Sequence, residues 1–242
     1  MEKHPQIENL DNLISSVWEE IFSSQEAKKY GSTLMSKDKR LFAVYMTQVY
    51  HYAYHTARNL GLAGANLFTN DLKLMHHFFE HALGEVGHEK MAFNDLKELG
   101  VPFKSENEIP PALPATEVLI SYVKYLSISE KPYRCLGYHY WIEQPYNYIL
   151  TFMQALEHTM GLEKRHMSFY LQHSLIDQKH GKDIQDIVVQ ICIIDEQWNE
   201  IREVCRTSLW LMFRVLQDVI TEYEQLADNK SGEFKILNHI PH

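Results

Sequence analysis

The chain has 242 residues, 45% hydrophobic and 23% charged, which excludes a disordered, collagenous or low-complexity polypeptide and leaves room for one large domain. Its 23 Lys and Arg against 32 Asp and Glu give a net charge of −9, the wrong sign for a general binder of phosphate backbones, so nucleic acid is not an expected partner. Only 10 Gly and 8 Pro interrupt it, too few for a sheet protein with a turn signal at roughly every tenth residue, which favours long helices.

Apolar residues recur at helical spacing from the start. Ile7, Leu10, Leu13, Ile14, Val17, Trp18, Ile21 and Phe22 predict a first helix reaching about Lys29, with Gly31 as its stop. Lys37 to Leu62 reads as a second helix, with Leu41, Val44, Tyr45, Val49, Tyr52 and Leu60 spaced for burial. Asn70 opens a third over Asp71 to Leu99, Gly100 closes it, and the proline-bearing stretch from Val101 to Pro114 is a loop. A fourth helix is expected from Thr116 to about Ser129 and a fifth from Tyr133 to Met160, kinked at Pro145. Leu162 to about His180 makes a sixth, and Gly181 separates it from a final long helix ending near Leu226. No strand-like alternation and no repeat is present, so the fold class is all-α: a bundle of about seven helices forming a single domain over residues 1–227, followed by a flexible tail over 228–242.

Cys135, Cys192 and Cys205 form no C-x-x-C pair and read as reduced, buried thiols. The first ten residues carry no apolar signal core, and no uncharged apolar run reaches the roughly 18 residues of a membrane span. A cytoplasmic location without membrane attachment is therefore expected.

The 14 histidines carry the chemistry. His81, Glu85 and His88 form His-x3-carboxylate-x2-His in the third predicted helix, and His173, Asp177 and His180 repeat it in the sixth. At about 100° per residue, positions 0, 4 and 7 share one helical face, so each triplet can turn two imidazoles and a carboxylate to one side. Such a face is costly in a core unless its charges are compensated, and a bound cation compensates them well. Glu143, in the aromatic stretch Gly137–Glu143, is a candidate third contributor, and His139 lies one turn before it as a partner or a core histidine. His51 and His55 share a face of the second helix and are candidate further ligands or substrate contacts, whereas His76, His77, His158 and His166 have no such company. Mixed imidazole and carboxylate ligation suits Fe(II), Mn or Zn; iron is the better match, since helical dimetal sites that activate O2 are built from carboxylate-x-x-His pairs and additional Glu.

The segments His76–Gly100 (HHFFEHALGEVGHEKMAFNDLKELG), Gly137–Tyr146 (GYHYWIEQPY) and Phe169–Ile184 (FYLQHSLIDQKHGKDI), in that order, resemble the haem-oxygenase-like dimetal oxidases within the thiaminase-type and pyrroloquinoline-quinone-synthase-like superfamily. The resemblance extends over roughly residues 10–225 and implies a haem-oxygenase-like bundle in which Glu85, His88, Glu143, His173, Asp177 and His180 hold two irons. It also implies activation of O2 to oxidise a small-molecule substrate held beside the metals. The chain departs from the pattern at His81, where some members carry a carboxylate, and at His51 or His55, where some supply a further Glu; both bear on how many ions are held. Haem oxygenase activity itself is not implied, because the first predicted helix has no histidine to serve as proximal ligand. Two other readings stand beside the oxidase: a metal-free enzyme of the same fold, and a non-enzymatic metal store or interaction module. The amphipathic C-terminal helix is a candidate homodimer interface.

Overall fold

Among the described residues of the computed structural model, which are 4–34, 36–67, 71–143 and 149–241, with the backbone alone at 32, 34, 149, 150, 152 and 173–179, the chain folds into eleven α-helices and no strand. α1 (Pro5–Ser23) starts where His4 Nδ1 accepts the Gln6 amide at 3.3 Å and Pro5 supplies a helical φ, and it buries the expected stripe Ile7, Leu10, Val17 and Ile21. It stops earlier than the spacing predicts, because the Ser24 hydroxyl caps a new short helix, α2 (Gln25–Lys29), accepting Ala27 N at 3.1 Å. After α3 (Gly31–Leu34), Asp38 caps the 27-residue α4 (Lys39–Ala65) by accepting Arg40 N at 2.9 Å.

The third expected helix is two. α5 (Leu72–Gly84) and α6 (His88–Glu98) are separated by a turn at residues 85–87, in which Gly87 has φ 91°, a conformation that costs glycine little. α7 (Pro114–Ser127) follows the predicted loop, then α8 (Leu136–Ile142) and α9 (Ile149–Met160), which ends at Gly161 with φ 63°. Pro145, where a kink was expected, lies outside the described residues. α10 (Ser168–Ile191) passes through Gly181 without interruption, and the break expected there falls at Cys192–Ile194, before α11 (Asp195–Ala227). A mid-helix glycine costs only about 1 kcal/mol, less than the packing of α10 against α5, α6, α8 and α9 supplies.

α4 packs against α5, α6, α7 and α11, and α11 against α1, α7 and α8, so these two long helices form the centre of the bundle. α8 reaches α11 through Gly137, where a Cβ would stand 2.5 Å from Ile201 O. The three cysteines are buried and free. The stretch expected as a flexible tail turns back in a 3-10 helix (Phe234–His239) against α4 and α11 and buries Phe234, Leu237 and Ile240. No helix is long and apolar enough to cross a membrane among the described residues.

Asp95 of α6 is fully buried, and its carboxylate accepts Ser168 N at 2.8 Å, Ser168 Oγ at 2.5 Å and Phe169 N at 2.9 Å, so one helix caps another across the core. Asp95→Ala strands two amides and is expected to cost about 3 kcal/mol, a fall in Tm of roughly 6–12 °C for a chain of this size. Asp95→Asn, which keeps one acceptor, loses less; thermal unfolding followed by circular dichroism reads the difference.

Candidate metal centre

The turn between α5 and α6 meets the end of α8 and the middle of α10. Glu85 stands just past the end of α5, which frees its carboxylate to reach back one turn to His81 and forward to His88, the first residue of α6. His88 Nδ1 lies 3.0 Å from Glu85 Oε2, a hydrogen bond; His81 Nε2 lies 3.6 Å from Glu85 Oε1 and 3.9 Å from Glu143 Oε1, and His180 Nδ1 lies 3.9 Å from Glu85 Oε1. One donor atom each of His81, Glu85 and His180 lies within 4.8 Å of the others. The rings of His81 and His180 are 4.8 Å apart, and those of His139 and His77 lie 5.7 and 5.8 Å from His81.

The longer separations are beyond hydrogen bonding, yet the groups are buried: His81 is 4% exposed, Glu85 5%, Glu143 8% and His139 0%. Both ring nitrogens of His81 and Oε1 of Glu85 have no hydrogen-bond partner. Donor atoms sharing one ion at about 2.1 Å stand about 3–3.5 Å from one another, so a small contraction of this cluster around a cation would satisfy atoms the protein leaves unsatisfied. The donor set of imidazoles and carboxylates suits Fe, Mn or Zn.

Electrostatics point the same way. Burial opposes ionisation of Glu85, but the nearby His81 ring, the hydrogen bond from His88 and the charge of both outweigh it and hold the carboxyl well below the usual range. Burial, with His81 beside it, pushes His139 down to about 3, and burial with His81 and His180 nearby takes His77 down to about 4, so both are neutral near pH 7. The Tyr138 phenol, between Trp141 and the cluster, is pushed up by burial and by Glu143 and Glu85.

Of the residues singled out in the sequence, Glu85, His88, Glu143, His180, His81 and His139 come together here. His81, read as an additional residue, is at the centre of the group. His173 and Asp177 lie on α10 two turns and one turn before His180, and their side chains are outside the described residues. His51 and His55 point elsewhere: His51 Nε2 is 2.7 Å from Pro110 O in the loop before α7, and the His55 ring stands edge-on to Tyr54. α4 instead offers Tyr52, Thr56 and Asn59 to a small cavity beside His139. His77 was missed, although its spacing of four residues from His81 puts both on one face of α5.

An all-α bundle with a buried His and carboxylate cluster where its helices meet is a haem-oxygenase-like fold carrying a metal-ready site. The fold is shared with a domain of unknown function from Shewanella denitrificans OS217 whose crystal structure has a haem oxygenase-like fold; the two are 33% identical over 94% of this chain and 97% of that one, with a TM-score of 0.83. Residues 43–212 match the family model of iron-containing redox enzymes, and the chain belongs to that family. No match is found among curated proteins.

Two outcomes follow from the geometry. In the metal-free protein, His139 refuses a proton until about pH 3, whereas the unfolded chain takes one up below about 6.5. Stability is therefore complete above that pH and falls through the window by up to about 1.4 kcal/mol per pH unit. Thermal melts between pH 7 and 4 should show the decline, and His139→Gln should flatten it by close to one proton. Separately, a Cβ on Gly84 would stand 3.1 Å from His180 Cε1. Gly84→Ala should leave Tm nearly unchanged and displace that ring, weakening Fe(II) binding about tenfold, as read by anaerobic titration.

Proposed function

We propose that the chain is a non-haem diiron oxidase that uses O2 to oxidise a small organic substrate. The observation that carries this reading is the trio His81, Glu85 and His180, in which both ring nitrogens of His81 and Oε1 of Glu85 have no hydrogen-bond partner among the described residues. Glu85, His88, Glu143, His180 and, on the same face of α10, His173 and Asp177 would hold the irons, with His81 as a further ligand. Reduced iron supplies what no side chain can, the binding and stepwise reduction of O2.

The chain's own residues set the conditions. Glu85 is held ionised by its histidine neighbours, and with Glu143 it places two negative charges in a dry setting, which favours a multiply charged cation over a proton. Tyr138, Trp141 and His139 close the inner wall to water; Trp141 is fixed there by its Nε1–H donating to Ser208 Oγ at 2.7 Å. On the other side a cavity of about 330 Å³ reaches His81 and His180 from solvent, room for a small substrate. The metal-free alternative gains nothing from the cysteines: burial pushes all three thiols up, Cys192 to about 12, and Cys205 Sγ is turned to Gly137 O.

Anaerobic Fe(II) titration of the metal-free protein tests the reading. About two irons per chain are expected, each stabilising the fold by about 2.7 kcal/mol at a free concentration a hundred times its Kd, and His180→Ala should lose this stabilisation. Glu85→Gln, isosteric and uncharged, should melt like the metal-free parent yet fail to bind iron, and it should abolish O2 uptake by the reduced protein. A folded parent that binds no metal would overturn the reading.

A further inference from the structure

The cluster opens to solvent along a groove between α5 and α10. Its inner chamber, about 330 Å³, is lined by His81 and His180; its outer chamber, about 720 Å³, runs past Leu72, Lys73 and Ile187 to the surface. Three residues line both chambers and so form the throat: His77, Glu80 and Asp183.

Every throat group can accept hydrogen bonds. Asp183 is half-buried, and no cationic side chain pairs with it among the described residues. Glu80, whose side chain is 71% exposed at the rim, pairs among the described residues with His76, through Oε2 at 3.2 Å, which leaves its other oxygen for a ligand. His77 Nε2 is buried without a hydrogen-bond partner. Behind the throat, His81 is 4% exposed and neither of its ring nitrogens is partnered. Lys73, the one cation of the lining among the described residues, belongs to the outer chamber alone.

Among the described residues the throat holds two carboxylates and an imidazole acceptor and no cation, a set that repels carboxylates and phosphates. It complements an ammonium group, which has three N–H donors and no acceptor. Leu72 and Ile187 in the outer chamber offer apolar walls to an alkyl chain.

We propose that the groove selects a small primary amine, bound as its ammonium form at His77, Glu80 and Asp183. The carbon beside the nitrogen is presented to His81 and His180, and the tail lies along Leu72 and Ile187. The substrate class rests on the oxidase reading above, because it assumes that the molecule in the groove is the one that reacts at the cluster.

Calorimetric titration with n-hexylammonium, hexan-1-ol and hexanoate, on protein reconstituted anaerobically with Fe(II) and on the metal-free form, provides the test. The amine is expected to bind about tenfold more tightly than the alcohol, with hexanoate showing no binding, and added salt should narrow the gap. The double variant Glu80→Gln, Asp183→Asn should bring the amine to the affinity of the alcohol while leaving Tm and iron content unchanged. Glu80→Asp with Asp183→Glu, which keeps both charges, should restore the preference. Equal binding of amine and alcohol by the parent would overturn the proposal. So would a double variant that loads Fe(II) more slowly but binds the amine as before, since the acids would then serve metal entry. A parent that holds no iron yet prefers the amine supports the groove and overturns the metal reading; a parent that holds iron without that preference overturns the groove alone.

Discussion

Two carboxylates and at least three imidazoles are buried together where α5, α8 and α10 converge, and among the described residues both ring nitrogens of His81 and of His139 and Oε1 of Glu85 have no hydrogen-bond partner. Desolvating each carboxylate costs several kcal/mol, so the arrangement persists only because the helices around it are fixed independently of it. The break between α5 and α6 shows how. Glu85 stands at the break, its carboxylate placed between His81 one turn behind it and His88, which opens α6. Gly87, in the left-handed region, makes that turn possible at small cost.

The supports are residues chosen for geometry over packing. Gly84 lets the His180 ring approach the end of α5, and Gly137 lets α8 lie against the backbone of α11, where a larger residue would lift His139 and Glu143 out of place. Asp95 ties the start of α10 to α6, so the helix that carries His180 and the helix that begins with His88 share one buried joint. Each position forgoes an apolar contact that would have stabilised an ordinary core. A cation at the centre would offset that loss, since whatever binds the folded chain alone stabilises it.

The helical class and the shared face of His81, Glu85 and His88 were legible in the sequence, because periodicity reports which residues share a face; the side chains of His173 and Asp177 lie outside the described residues. Periodicity does not report what a face meets. His51 and His55 have the spacing of a ligand pair, but α4 turns His51 to the loop at Pro110, sets the His55 ring against Tyr54 and gives Tyr52 and Asn59 to the side of His139. Gly181 reads as a stop by local preference, which is worth about 1 kcal/mol and is overridden by packing along α10. The break at 85–87 was hidden for the opposite reason: the triplet fits an unbroken helix equally well. The C-terminal segment escaped notice because Phe234, Leu237 and Ile240 recur every third residue, the period of a 3-10 helix, which a search at 3.6 passes over.

Across the cluster, wetness changes steadily. His139 is sealed behind Tyr138 and Trp141, His81 is nearly so, and the His180 side chain is 16% exposed to the groove. A dry inner wall strengthens every electrostatic interaction with a cation and says little about substrate, since aromatic rings at that depth would serve many reactions. The wet outer wall is where molecules are distinguished. Under the proposed selection of an amine, His77, Glu80 and Asp183, placed where the two chambers meet, would carry the choice of ligand, and a change of charge there would alter what binds while leaving the buried cluster in place.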